Sequence, residues 1–156
     1  YFINIKSDIV KISYMSYLCE LATNVYKESN NIEIYDILIS ALLKIEDNFD
    51  PKIITNIVEI QYLNYIGISL CLDSCVNCLS TSRGGYLCAD CRNSEPILDG
   101  KILKLLRLYN YEDISKISNL DIDNEVSNAI DRIISEYYED YSGVSTKSKK
   151  FLREIE

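Results

Sequence analysis

Histidine is absent from these 156 residues. That removes Ser-His-Asp, Cys-His and HExxH chemistry in one step, because each needs an imidazole as base or metal ligand. The one pair of adjacent glycines, Gly84-Gly85, is not followed by Lys-Ser or Lys-Thr, so no phosphate-binding loop is present. No run approaches the roughly eighteen apolar residues of a membrane span, and the opening YFINIKSDIV has neither a basic leader nor a cleavage site. An excess of positive charge is missing too. The formal net charge is −8 and the pI about 4.6, which favours solubility and repels phosphate unless the cations gather on one face. The composition implies a soluble, cytoplasmic protein without catalytic machinery.

Six cysteines stand out against these absences. Cys75/Cys78 and Cys88/Cys91 form two CxxC pairs separated by nine residues, and two such pairs can supply the four thiolates of one tetrahedral Zn²⁺ site. A disulfide fits less well, since each CxxC turn aims both sulfurs at one point and a single metal satisfies all four. The linker LSTSRGGYL is shorter than the roughly fifteen to twenty residues usual between zinc-ribbon pairs. It has the composition of a tight hairpin, with Gly84-Gly85 able to take the positive φ of a primed turn. Four thiolates leave no open coordination position, so the zinc, one per chain, is expected to be structural. Cys71 and Cys19 lie among apolar residues, and Cys19 falls on a predicted buried stripe as an inert thiol. This usage suits a reducing compartment. With four thiolates and one Zn²⁺ the formal charge becomes about −10.

At 47% hydrophobic residues, the chain is the size of one domain with one core. Ile5, Ile9, Ile12, Met15, Cys19, Ala22 and Val25 recur at steps of three and four, predicting a helix from residue 1 to about 28. Glu28-Ser29-Asn30-Asn31 reads as a loop. Ile34, Ile37, Leu38, Ala41, Leu42 and Ile45 predict a second helix. Asp50-Pro51 is a helix-start pair, a side-chain cap followed by a proline whose missing N–H costs nothing there. Ile53, Ile54, Ile57, Ile60, Gln61 and Tyr65 carry the third helix to a stop at Gly67. Beyond the cysteines, Asn93-Ser94-Glu95-Pro96 is a turn, and Asp99 or Gly100 opens a short helix through Tyr109. Residues 110–121 are ambiguous. A further helix starts near Asp121 or Asp123, runs through Tyr138 and ends around Ser142-Gly143, and STKSKKFLREIE follows as a tail. The thirteen tyrosines read as core or half-buried packing rather than a platform for stacked bases. The expected fold is mainly α: a single helical domain over 1–156 with a four-cysteine zinc-binding hairpin of two CxxC knuckles inserted at 69–95.

The order of these parts, together with KISYMSYLCEL, LDSCVNC…GGYLCADC and YSGVSTKSKKFL, resembles the C-terminal region of the bacterial DNA repair and recombination protein RecO family across essentially the whole chain. The resemblance implies a helical, zinc-containing region that follows an N-terminal OB-fold. Nothing here matches an OB-fold and no initiator Met is present, so the chain is expected to be part of a longer protein. The family further implies a non-catalytic, nucleoid-associated mediator that binds single- and double-stranded DNA, mainly through the OB-fold, and anneals strands. It would also contact the C-terminal tail of single-stranded-DNA-binding protein and work with RecR to load recombinase. The acidity of this chain departs from that picture. Its clustered cations are Lys147, Lys149, Lys150 and Arg153, candidate DNA or partner contacts that could instead be a solvated helix end. Arg83 and Arg92 flank the cysteines, where they would balance thiolate charge. An alternative from another class is a zinc-stabilised helical interaction module of a different cytoplasmic assembly. A redox switch in which Cys71 or Cys19 attacks the zinc is a third.

Overall fold

The computed structural model describes residues 1–68, 70, 78–80, 85–87, 100–139 and 147–155. Its elements in order are α1 (Ile3–Lys6), α2 (Ile9–Ser29), α3 (Glu33–Glu46), α4 (Pro51–Tyr65), β1 (Cys78–Ser80), β2 (Gly85–Leu87), α5 (Gly100–Tyr111), a 3₁₀ turn (Ile114–Lys116), α6 (Asn124–Tyr137) and α7 (Lys147–Ile155). The fold is mainly helical, and among the described residues strands occur only in the short β1–β2 pair. None of the described helices is long and apolar enough to cross a membrane.

α4 is the centre. Asp50 accepts a hydrogen bond from the Lys52 amide at 2.9 Å and Pro51 occupies the first helical position, as the sequence pair dictates. From Ile53 to Ile60 every residue is buried, and Tyr62 and Leu63 extend the run. A helix covered on all sides belongs in the middle of a bundle. α2, α3, α5 and α6 pack around it. It stops at Gly67, whose φ of +78° lets the Ile68 amide turn back to the Leu63 carbonyl at 3.0 Å. Open space surrounds the position of a Cβ there, so backbone conformation rather than crowding makes glycine suitable.

α3 follows its periodicity, burying Ile34, Leu38, Ala41, Leu42 and Ile45. The first predicted helix does not. It divides at Ser7–Asp8, where Asp8 is extended and its carboxylate accepts from the Val10 and Lys11 amides, capping α2 afresh. The free amides at the start of α1 find a partner far along the chain: Asn4 and Ile5 donate to the Glu46 carboxylate at 3.0 and 3.1 Å. The buried face of α2 is also rotated from the predicted stripe. Tyr14, Tyr17, Leu18, Leu21, Ala22 and Val25 are buried with Ser13, whereas Ile9 is 66% exposed and Cys19 is exposed. Cys19 is therefore not a core thiol. The reason is that tyrosines whose hydroxyls find partners inside can replace aliphatic residues in the core.

The ambiguous stretch contains the 3₁₀ turn, capped by Asp113, with Ile114 and Ile117 buried against α3. α6 begins at Asn124 under an Asp123 cap. The segment expected as a tail forms α7, which packs against α2. The turn at 93–96 and the helix end at 142–143 lie outside the described residues.

Candidate functional sites in the cysteine hairpin and the C-terminal helix

β1 and β2 are antiparallel, with Cys78 opposite Leu87, Leu79 opposite Tyr86 and Ser80 opposite Gly85. The hairpin expected from composition is present, but its turn is not centred on Gly84-Gly85. Gly85 is a strand residue paired with Ser80, so the connection falls to residues 81–84, which lie outside the described residues. The register has a consequence for the cysteines. Cys78 opens β1, and its partner Leu87 is the residue immediately before Cys88 in the chain. Cys75, Cys88 and Cys91 lie outside the described residues, as do Cys71, Arg83 and Arg92. Among the described residues no group of three or more His, Cys, Asp or Glu is placed to hold a metal. Cys19 is remote from such a role, and its partial shielding raises its thiol pKa, which disfavours the nucleophilic thiolate.

The four candidate cations are all in α7. The side chains of Lys147, Lys150 and Arg153 lie outside the described residues. That of Lys149 is turned into the bundle. Its ammonium is 3.2 Å from Glu59 Oε2 and 3.4 Å from Asp131 Oδ1, with 18% of the side chain exposed, and it stands 4.9 Å from the centre of the Tyr17 ring. Lys149 is thereby withdrawn from any phosphate-binding row.

Glu59 is the anchor of this buried cluster. It sits in α4 between Val58 and Ile60 and is 1% exposed, a position that costs several kcal/mol for a carboxylate left alone. It is not alone. The Tyr17 hydroxyl donates to Oε2 at 2.7 Å, and the Asn56 amide, oriented with its nitrogen towards the carboxylates, donates to Glu59 Oε1 at 3.2 Å and Asp131 Oδ1 at 3.0 Å. The Tyr138 hydroxyl donates to the Glu59 carbonyl at 2.7 Å. Burial and the nearby Asp131 push the Glu59 carboxyl above its ordinary range although Lys149 opposes them. Burial alone would depress Lys149, but attraction to Glu59 and Asp131 outweighs it and raises the pKa. The ammonium therefore stays charged at neutral pH. Sequence reading missed Glu59, Asp131, Asn56 and Tyr17. A signal existed in Ile57-Val58-Glu59-Ile60, where one carboxylate interrupts an apolar run and requires an internal partner.

The described residues define a mainly helical domain that carries a two-stranded hairpin at Cys78. Comparison with known proteins places it more narrowly: residues 6–150 match the family model described as Recombination protein O C terminal, and the chain belongs to that family. It is 31% identical over 167 residues to the DNA repair protein RecO of Listeria monocytogenes serotype 4a, covering 99% of this chain and 66% of that protein. The DNA repair protein RecO of Halalkalibacterium halodurans is 29% identical over 167 residues, with the same coverage. That of Bacillus pumilus is 30% identical over 164 residues, covering 97% of this chain and 64% of the relative. The chain thus spans slightly less than two thirds of the length of these curated relatives. No solved structure matches it significantly.

Proposed function

We propose that this chain is the C-terminal domain of a non-catalytic, cytoplasmic and nucleoid-associated mediator of recombinational DNA repair. In this reading it recruits protein partners, the C-terminal tail of single-stranded-DNA-binding protein and RecR, while supporting DNA binding and strand annealing that depend mainly on a separate OB-fold. The family match over residues 6–150 carries the proposal. Charge supports the division of labour. At −8 the domain repels phosphate, and with Lys149 bound to Glu59 and Asp131 only Lys147, Lys150 and Arg153 remain as candidate phosphate contacts on α7.

Three contacts imply a salt slope no steeper than about −2 for single strands, at roughly −0.7 per phosphate neutralised. The test is oligonucleotide binding by this chain across a salt series. Weak binding is expected at low salt, lost near physiological salt, and weakened further by Lys147→Glu and Lys150→Glu. Submicromolar affinity at physiological salt would refute the division of labour and require a focused basic groove.

Cys75, Cys78, Cys88 and Cys91 are proposed to hold one structural Zn²⁺. The residues fit the metal: the donor set is four thiols in two CxxC pairs, and the ladder register sets Cys78 opposite the neighbour of Cys88. Zinc would clamp the two knuckles at one end of the hairpin. Elemental analysis should find about one equivalent per chain, retained in Cys71→Ser. Less than half an equivalent would exclude the site.

A further inference from the structure

We propose that Lys149 is a latch, and that α7 is a strap which opens from the bundle as a unit when this side chain leaves its carboxylate seat. α7 runs close along α2, and among its described side chains two reach the interior. Leu152 is 2% exposed, and Lys149 reaches Glu59 and Asp131. Ile155 is half-buried, whereas Phe151 is largely exposed. A single buried leucine and a half-buried isoleucine are a small apolar attachment for a helix of nine residues, and segments with few buried apolar contacts open first.

The seam is also incompletely filled. A cavity of about 10 Å³ lies along it, lined by Tyr14, Lys52, Thr55, Asp131, Lys149 and Leu152 among others. Thr55 Oγ1 is buried there without a hydrogen-bond partner among the described residues. A gap there forfeits some dispersion across the seam, which leaves more of the closure to the charged contact. The remaining bundle does not need α7 for its centre, because α4 is enclosed by α2, α3, α5 and α6. The seat itself is assembled from three other helices: Tyr17 on α2, Asn56 and Glu59 on α4, and Asp131 on α6. Only correct packing of all three creates it, so closure reports that the bundle is complete. Lys147, Lys150 and Arg153 travel with α7. A consequence for DNA rests on the proposed function, but the opening itself does not.

Amide hydrogen exchange on the whole chain tests the latch without reference to DNA. In Lys149→Ala the α7 amides should exchange on the order of a hundredfold faster, from the loss of one partner of a buried ion pair. The amides of Ile57 to Leu63 in α4, which exchange only on global unfolding, should remain slower than those of α7 in the variant. Coincident α7 and α4 rates would overturn the proposal by making them one cooperative unit, and unchanged α7 rates would overturn it by making Lys149 dispensable. The wild-type chain decides the matter if the variant does not fold. Its α7 amides should exchange faster than those of α4 and with little dependence on denaturant, the mark of a local opening. Matching rates and denaturant dependence in the two helices would exclude an independent strap.

Discussion

α3 and α7 are both attached to the outside of the same bundle, and they are held by different physics. α3 presents five buried apolar side chains, from Ile34 to Ile45, and polar ties that include the Tyr62 hydroxyl donating to the Ile34 carbonyl at 2.8 Å and the Asn4 and Ile5 amides donating to Glu46. α7 presents Leu152 to the core and drives an ammonium into a carboxylate seat. Burial of apolar surface is non-directional and stabilises in proportion to area. A buried ion pair gains little net stability once desolvation is subtracted, yet losing one partner is costly. The α3 seam therefore supplies stability, and the α7 seam supplies selectivity for one docked arrangement.

Alkali should break both seams and separate them in order. Burial raises the pKa of Tyr17, Tyr62, Tyr109 and Tyr138, and burial together with Glu33 pushes Tyr65 up to about 12. A phenol whose folded pKa is raised contributes stability that is intact below pH 10 and falls as pH climbs beyond it. Each of the first four loses about 1.4 kcal/mol per pH unit above 10. Lys149, also raised, adds its loss as pH rises through its folded pKa, at the α7 seam alone. Tyrosinate absorbance and far-UV circular dichroism should show cooperative unfolding by about pH 12, with exchange at α7 rising before exchange at α3. Simultaneous loss would show that the two seams do not differ.

Ile45→Ala tests the apolar seam. Ile45 is fully buried, and truncation should cost about 2–5 kcal/mol, lowering the melting temperature of all the helices together because α3 is part of the cooperative core. A cost below about 0.5 kcal/mol, the scale of a surface change, would mean that α3 is peripheral.

A smaller effect is expected from Tyr17→Phe. The ring remains, but Glu59 loses a donor at 2.7 Å, worth about 1.5–3 kcal/mol for a hydrogen bond to a charged group. Because this bond joins α2 to α4, the loss should lower the stability of the bundle, α3 included, rather than loosen α7 alone. Faster exchange confined to α7 would show that the bond serves the strap and not the bundle.

Much of this architecture was legible along the chain. The face of α3 could be read residue by residue, because its apolar positions recur at helical spacing and no polar partner competes for the interior. Asp50-Pro51 and Gly67 bounded α4 correctly, since caps and positive-φ stops are local chemistry. The linker composition pointed to a hairpin, although Gly85, expected in its turn, is a strand residue paired with Ser80. α2 was misread for the opposite reason. Tyr17 is accommodated in the core by a hydrogen bond from its hydroxyl to Glu59, forty-two residues away.

The same distinction divides the candidate sites. Spacing alone picked out Cys75, Cys78, Cys88 and Cys91, because CxxC geometry is set within four residues and needs no knowledge of the rest of the fold. Family membership was likewise carried by local motifs and their order. The fate of Lys149 could not be read this way. In sequence it is one of four cations near the chain's end, alike in charge and interchangeable in a count of phosphate contacts. What separates it is that Glu59 and Asp131, ninety and eighteen residues distant, converge on its ammonium. Charge belongs to the residue, but whether a charge is available to a partner depends on what the folded chain has already placed against it.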